Sequence, residues 1–178
     1  MKKLLIALLI FSHVCSSETT IYLVRHAEKV TTKDLKDPEL TAIGQFRALN
    51  IAKQLSEVGV TKIFSTKYNR TLQTAKPLAD YLELQIEYYD PRQLSEFADK
   101  IKSMQGTFLI VGHSNTTPQL TQLISGKDVK PIEENEYDNL YQVIINGNQT
   151  LLNRFKSIPS YDLKSSDSES QPKHIINK

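Results

Sequence analysis

TIYLVRHAEK, residues 20–29, is an apolar run that stops abruptly at an arginine and a histidine side by side. Residues 21–24 are all large and apolar and read as a buried strand, the kind found in a sheet covered by helices. In open sheets of that kind the ligand site lies beyond the carboxyl ends of the strands. Arg25 and His26 stand at that place. By themselves they read equally well as the polar loop that ends most strands, so the other strand ends decide between the two.

Downstream, helical and strand patterns alternate. Thr41 is placed to cap a helix through about residue 58, with Ile43, Phe46, Ile51, Leu55 and Val58 as its apolar stripe and Gly59 ending it. A short strand at 62–65 precedes a helix at about 70–81, and 85–89 is the next strand. Pro91 fits the first turn of a helix running to about Met104, and TFLIV at 107–111 is another buried strand. Thr117-Pro118 opens a helix that stops near Gly126. Strands at 140–146 and 150–155 meet at Asn146-Gly147, a hairpin signal. This order predicts an α/β fold: a three-layer sandwich with a mostly parallel central sheet, helices on both faces and one antiparallel edge.

The chain has 178 residues, enough for one domain with a real core. Residues 1–17 read as a signal peptide: Lys2-Lys3, an apolar stretch over 4–11, then Cys15, Ser16 and Ser17. Its apolar part is too short to span a bilayer, so no membrane span is expected. Cleavage after Ser16 or Ser17 is one outcome; a lipid anchor at Cys15 is the other, disfavoured by the Ser12-His13-Val14 that precedes it. The domain is expected over 18–160, with a polar, disordered tail over 161–178. Removing the leader takes away two lysines and no acid, which leaves no net charge. A nucleic-acid or membrane-surface binder would need a basic excess, so neither partner is expected. Cys15 is the only cysteine, so the domain has no disulfide, no thiol nucleophile and no thiolate ligand.

Three segments now stand in order at strand ends: LVRHAE, FSTKYNRTLQTA and LIVGHSN. Together they resemble the histidine phosphatase superfamily, also called phosphoglycerate-mutase-like, in its small single-domain phosphatase branch. LTAIGQFRA at 40–48 resembles that family's first-helix start. The resemblance covers roughly residues 21–155. It implies that His26 attacks phosphorus, becomes phosphorylated and is freed by water. Imidazole suits that role, because it is both a nucleophile and a tolerable leaving group. Arg25 and Arg70 would hold the phosphoryl oxygens with planar, paired donors, and His113 would donate to the same oxygens. Of four histidines, His13 lies in the leader and His174 in the tail, so the two in the domain are the two in the motifs. No metal and no cofactor are called for.

The pattern is also broken in places. Ala27 stands where the family usually has glycine, and Ser114 follows His113 where the phytase and acid-phosphatase branch carries a catalytic aspartate. The general acid must then come from elsewhere: Asp90 is preferred and Glu96, in a segment like the mutases' L-x-E, is the runner-up. Thr66 and Asn115 are candidate second donors to phosphate. Glu28 could orient the nucleophile, bind substrate or simply be solvated. Lys29, Lys33 and Lys36 alternate with acids and read as a mixed surface loop.

Glycosylation acceptors at Asn69, Asn115 and Asn148 would put glycans beside the pocket on a eukaryotic secretory route. The expected place is therefore a bacterial periplasm, with a lipoprotein or a secreted protein as alternatives. The expected activity is metal-independent hydrolysis of phosphomonoesters, or of phosphohistidine, with a small phosphoester or a phosphoprotein as substrate. A phosphate-binding protein without turnover, or a phosphomutase, are the competing readings.

Overall fold

A computed structural model describes residues 18–31 and 36–157. The leader, the Cys15 anchor, Lys33 and the tail lie outside the described residues. The elements run β1 (Thr19–Arg25), α1 (Ala42–Leu55), β2 (Lys62–Ser65), α2 (Asn69–Tyr81), β3 (Ile86–Tyr88), α3 (Leu94–Lys102), β4 (Gly106–Gly112), α4 (Thr116–Ser125), β5 (Asn139–Asn146) and β6 (Gln149–Lys156).

They build one six-stranded sheet in the order β3-β2-β4-β1-β5-β6. The first four of these are mutually parallel, and β5 and β6 each run antiparallel to the preceding neighbour. The expected fold class is thus the observed one. Successive strand residues face opposite ways, and the core divides accordingly. Ile21, Leu23, Phe64, Phe108 and Ile110 pack on one face with residues of α3 and α4. Tyr22, Val24, Ile63, Leu109 and Val111 pack on the other with α1 and α2. The polar chemistry is left to the strand ends.

Those ends are level. Arg25 pairs with Gly112, while Ser65 pairs with Val111 on one side and Tyr88 on the other. His26, Thr66, Tyr89 and His113 therefore emerge together at one edge of the parallel sheet.

Several local expectations needed correction. Thr41 does cap α1, its hydroxyl accepting from the Gly44 amide at 3.1 Å. The buried face, however, is Gly44, Arg47, Ala48, Ile51, Ala52 and Leu55, while Ile43 and Val58 are exposed. Gly44 sets that face, because any Cβ there would collide with the carbonyl oxygen of Glu28. Pro91 precedes α3 instead of opening it. The Asp90 carboxylate takes the Arg92 amide at 2.9 Å, and the chain completes that turn before the helix begins at Leu94. In α4, Thr117 is inside the helix and its hydroxyl donates to the Val24 carbonyl at 3.3 Å, so it ties α4 to β1 and does not cap it.

Candidate active site

Arg25 is the largest fully buried side chain among the described residues, only 1% exposed. A buried guanidinium needs acceptors, and the loop before β5 supplies them. One of its terminal nitrogens donates to the carbonyls of Glu133, Glu134 and Glu136 at 2.9–3.0 Å, and the other to the Glu134 carboxylate at 3.1 Å. The Tyr137 ring covers the guanidinium at 4.2 Å. Its Nε–H has no partner among the described residues.

His26 is equally enclosed. Its Nδ1 lies 2.8 Å from the Ala27 carbonyl, which can only accept, so Nδ1 carries the hydrogen. The lone pair of the neutral ring is then on Nε2, the atom free for chemistry. Burial, partly offset by the Ala27 bond, and then the charges of Arg25, Arg70 and His113, push its pKa down to about 3. His26 is therefore unprotonated, and so nucleophilic, throughout the neutral range. The Ala27 amide donates to the Thr74 hydroxyl at 2.9 Å, fixing the turn to α2. Ala27 itself is fully buried beside Leu40 and Ala48, so a methyl is accommodated where the family usually has glycine.

His113 faces His26 edge to face, with ring centroids 5.6 Å apart. Gly112 makes the approach possible: a Cβ there would meet the hydroxyls of Tyr89, Thr116 and Thr117 at 2.9–3.0 Å. The His113 ring lies between the Thr66 hydroxyl, 3.0 Å from Nε2, and an Arg70 nitrogen, 3.4 Å from Nδ1. Arginine only donates, so Nδ1 accepts and Nε2–H donates to Thr66. Burial first, then Arg70 and Arg25, lower its pKa to about 4.

Arg70 stands in the first turn of α2. Asp37 holds both that turn and the arginine, accepting from the Asn69 amide at 2.9 Å and pairing with the guanidinium at 3.5 Å. The Tyr68 ring stacks against Arg70 at 4.5 Å. Its buried Nε–H, like that of Arg25, has no partner among the described residues. Leaving such donors unmatched is costly, and two guanidinium groups beside one cleft favour an anion there.

That cleft, of about 410 Å³, is lined by Arg25, His26, Arg70, His113 and Asn115, which the sequence had singled out. It is also lined by Lys29, Tyr68, Arg92, Ser114 and Glu134, which had not been assigned to it. Thr66 is fully buried behind His113 and touches that ring. Glu28 turns away: both its oxygens engage Arg47, a buried residue of α1, at 2.6–3.0 Å. Asp90 lines a neighbouring cleft, where its hydrogen bonds and ion pair with Arg92 lower its pKa to about 2. Glu96 is exposed in the first turn of α3 and lines neither cleft. Among the described residues, the carboxylate that lines the His26 cleft is Glu134, taking the Ser114 hydroxyl at 3.1 Å as well as Arg25. Those bonds, Ser114 first, lower its pKa. No sequence pattern marked Glu134, because its place depends on a loop folding back over β1. Among the described residues, no group of three or more His, Cys, Asp or Glu is placed to hold a metal ion.

Comparison with known proteins finds similarity in sequence and in fold. Residues 21–98 match the histidine phosphatase superfamily (branch 1). A probable phosphoglycerate mutase, GpmB, of Yersinia enterocolitica is 36% identical over 77 residues, 40% of this chain and 35% of that one. The chain thus spans about a third of that relative's length. Two solved structures share the fold at low identity. The protein histidine phosphatase SixA complexed with tungstate gives a TM-score of 0.63 at 15% identity, covering 78% of this chain and 97% of that one. A phosphoglycerate mutase from Bacillus anthracis gives 0.60 at 13%, covering 79% and 93%.

Proposed function

We propose that this chain, whose residues 21–98 match the histidine phosphatase superfamily, is a phosphohydrolase working through a phosphorylated His26. One observation carries the reading: a buried, unprotonated imidazole with its lone pair on Nε2, in a cleft lined by two arginines. In the first step Nε2 attacks phosphorus, the bond to the ester oxygen breaks, and that oxygen leaves with the electron pair. In the second, water attacks phospho-His26, phosphate departs, and the ring recovers its lone pair. Arg25 and Arg70 offset the charge on the phosphoryl oxygens in both transition states. His113 joins them by exchanging tautomers: if the Thr66 hydroxyl turns to donate to Nε2 and the Arg70 N–H turns from Nδ1 to the phosphoryl oxygens, Nδ1–H can donate to the oxygens as well.

The chemistry draws on no metal. Rapid quenching with a radiolabelled phosphoester should trap label on His26, and His26→Ala should abolish both label and turnover. Activity that survives this substitution, or that is lost to a chelator, would overturn the mechanism.

A second reading is favoured by one feature: among the described residues, no carboxyl group in the cleft is free to hold a proton. Binding of vanadate without hydrolysis of any phosphoester would make the chain a phosphate-binding protein. Formation of an isomer without phosphate release would make it a mutase, like the relative from Yersinia. The basic-then-apolar leader supports an exported place of action, which fractionation and sequencing of the mature N-terminus would check.

A further inference from the structure

In-line displacement puts the leaving group on the far side of phosphorus from the nucleophile. Sheet order therefore gives the reaction a direction. His26 follows β1, His113 follows β4, Thr66 to Tyr68 follow β2, and Tyr89 and Asp90 follow β3. These strands lie side by side, so nucleophile and outer strand are about 14 Å apart at the usual strand spacing. With phosphorus held between His26, His113 and Arg70, a leaving group directed away from His26 along the sheet would reach the ends of β2 and β3.

A second cleft, of about 670 Å³, lies there. It shares Tyr68, Pro91 and Arg92 with the His26 cleft and adds Lys67, Tyr88 and Asp90. Its walls are aromatic and partly open. Tyr88 is 54% exposed and Tyr68 38%, among the larger apolar exposures of the described residues. Tyr68 is held rather than loose, because Arg70 stacks on its ring and His113 meets it edge to face at 5.1 Å. Lys67 lies over the Tyr88 ring at 5.1 Å.

We propose that this second cleft is the leaving-group subsite and that it takes a planar aromatic ring, so the substrates are phosphomonoesters of phenol-type hydroxyls. The inference rests on the phosphohydrolase reading above and deepens it. Aromatic side chains stack on planar rings through the contact of two flat π faces.

The carboxylates of the site agree independently. Glu134, in the first cleft, is bound to Arg25 and Ser114, and Asp90, in the second, is clamped by Arg92. Neither holds a proton ready for an alkoxide at neutral pH. A phenolate leaves with less help, because its charge spreads into the ring.

Two substrate pairs separate stacking from leaving-group basicity. Benzyl and cyclohexylmethyl phosphate release similar alkoxides but differ in the ring, whereas phenyl and cyclohexyl phosphate differ in both. The intact mature chain should favour benzyl over cyclohexylmethyl phosphate by about tenfold in kcat/KM, the scale of one base–aromatic stack. The phenyl-to-cyclohexyl ratio should be larger still. Tyr88→Leu, at an exposed edge position that the fold tolerates, should bring the benzyl preference close to one through KM, while label still appears on His26. Equal rates for the benzyl pair, or an unchanged ratio in Tyr88→Leu, would overturn the aromatic subsite and leave the phosphohydrolase reading standing. If no substrate is hydrolysed and His26 takes no label, both fall.

Discussion

Acid is expected to destabilise this protein through His26, and His26→Gln should remove the effect. In the folded chain the ring is 3% exposed and its pKa lies at about 3; in the unfolded chain it returns to 6.5. Between those values the unfolded chain binds the proton and the folded one does not, so stability falls as pH falls. The contribution is fully present above pH 6.5 and lost progressively toward pH 3. At about pH 5 the loss from this one ring comes to about 2 kcal/mol relative to pH 8. His113 adds a smaller share, because its ring is partly open to solvent that screens the arginines.

Urea unfolding at the two pH values, on wild type and His26→Gln, measures the difference. With a slope of about 2 kcal/mol per molar, the wild-type midpoint should drop by about 1 M more than the variant's. An equal drop in both proteins would refute the reasoning, as would a His26 ring proton titrating near its ordinary pKa by NMR. Saturating phosphate should raise the folded-state pKa, since a dianion on Arg25 and Arg70 offsets the charges that help to lower it.

Two further outcomes follow from neighbouring contacts. Glu134 holds a carboxylate against Arg25 at the cleft and is 82% exposed, so Glu134→Gln should tighten vanadate inhibition only modestly, about fivefold; unchanged or weaker inhibition would show that Glu134 does not compete with the anion. Arg47→Ala strands Glu28 in a largely buried setting and should cost about 3 kcal/mol in urea unfolding, whereas a loss under about 1 kcal/mol would mean that the pair is not structural.

Most of the fold was legible because the strands of a parallel sheet are unbroken apolar runs. Residues 21–24 and 107–111 carry their own signal, and the alternation with helices gives the layers. The α1 stripe was right at Ile51 and Leu55 and wrong at Ile43 and Val58, for a physical reason. The buried positions of that helix include Gly44 and Arg47, one chosen for close approach to Glu28 and the other for charge. Hydrophobicity could not reveal either. At the site, the residues that stand directly after strands were legible: Arg25, His26 and His113, with Arg70 one turn further on. Those supplied by irregular loops were not. Glu134 and Tyr137 reach Arg25 across more than a hundred residues of chain, and Arg92 enters the cleft because Asp90 turns the backbone. Pairings of that range leave no local pattern.

The unequal support of the strands has an evolutionary meaning. β1 is bonded on both sides, to β4 and β5 along nearly its whole length, whereas β3 is three residues long and paired on one side only. The nucleophile thus hangs from a strand secured on both sides, and the leaving group would rest on the least-secured one. Substitutions at 67–68 and 88–92 can remodel what is accepted while the imidazole keeps its position. A chain built this way can change its diet without relearning its chemistry.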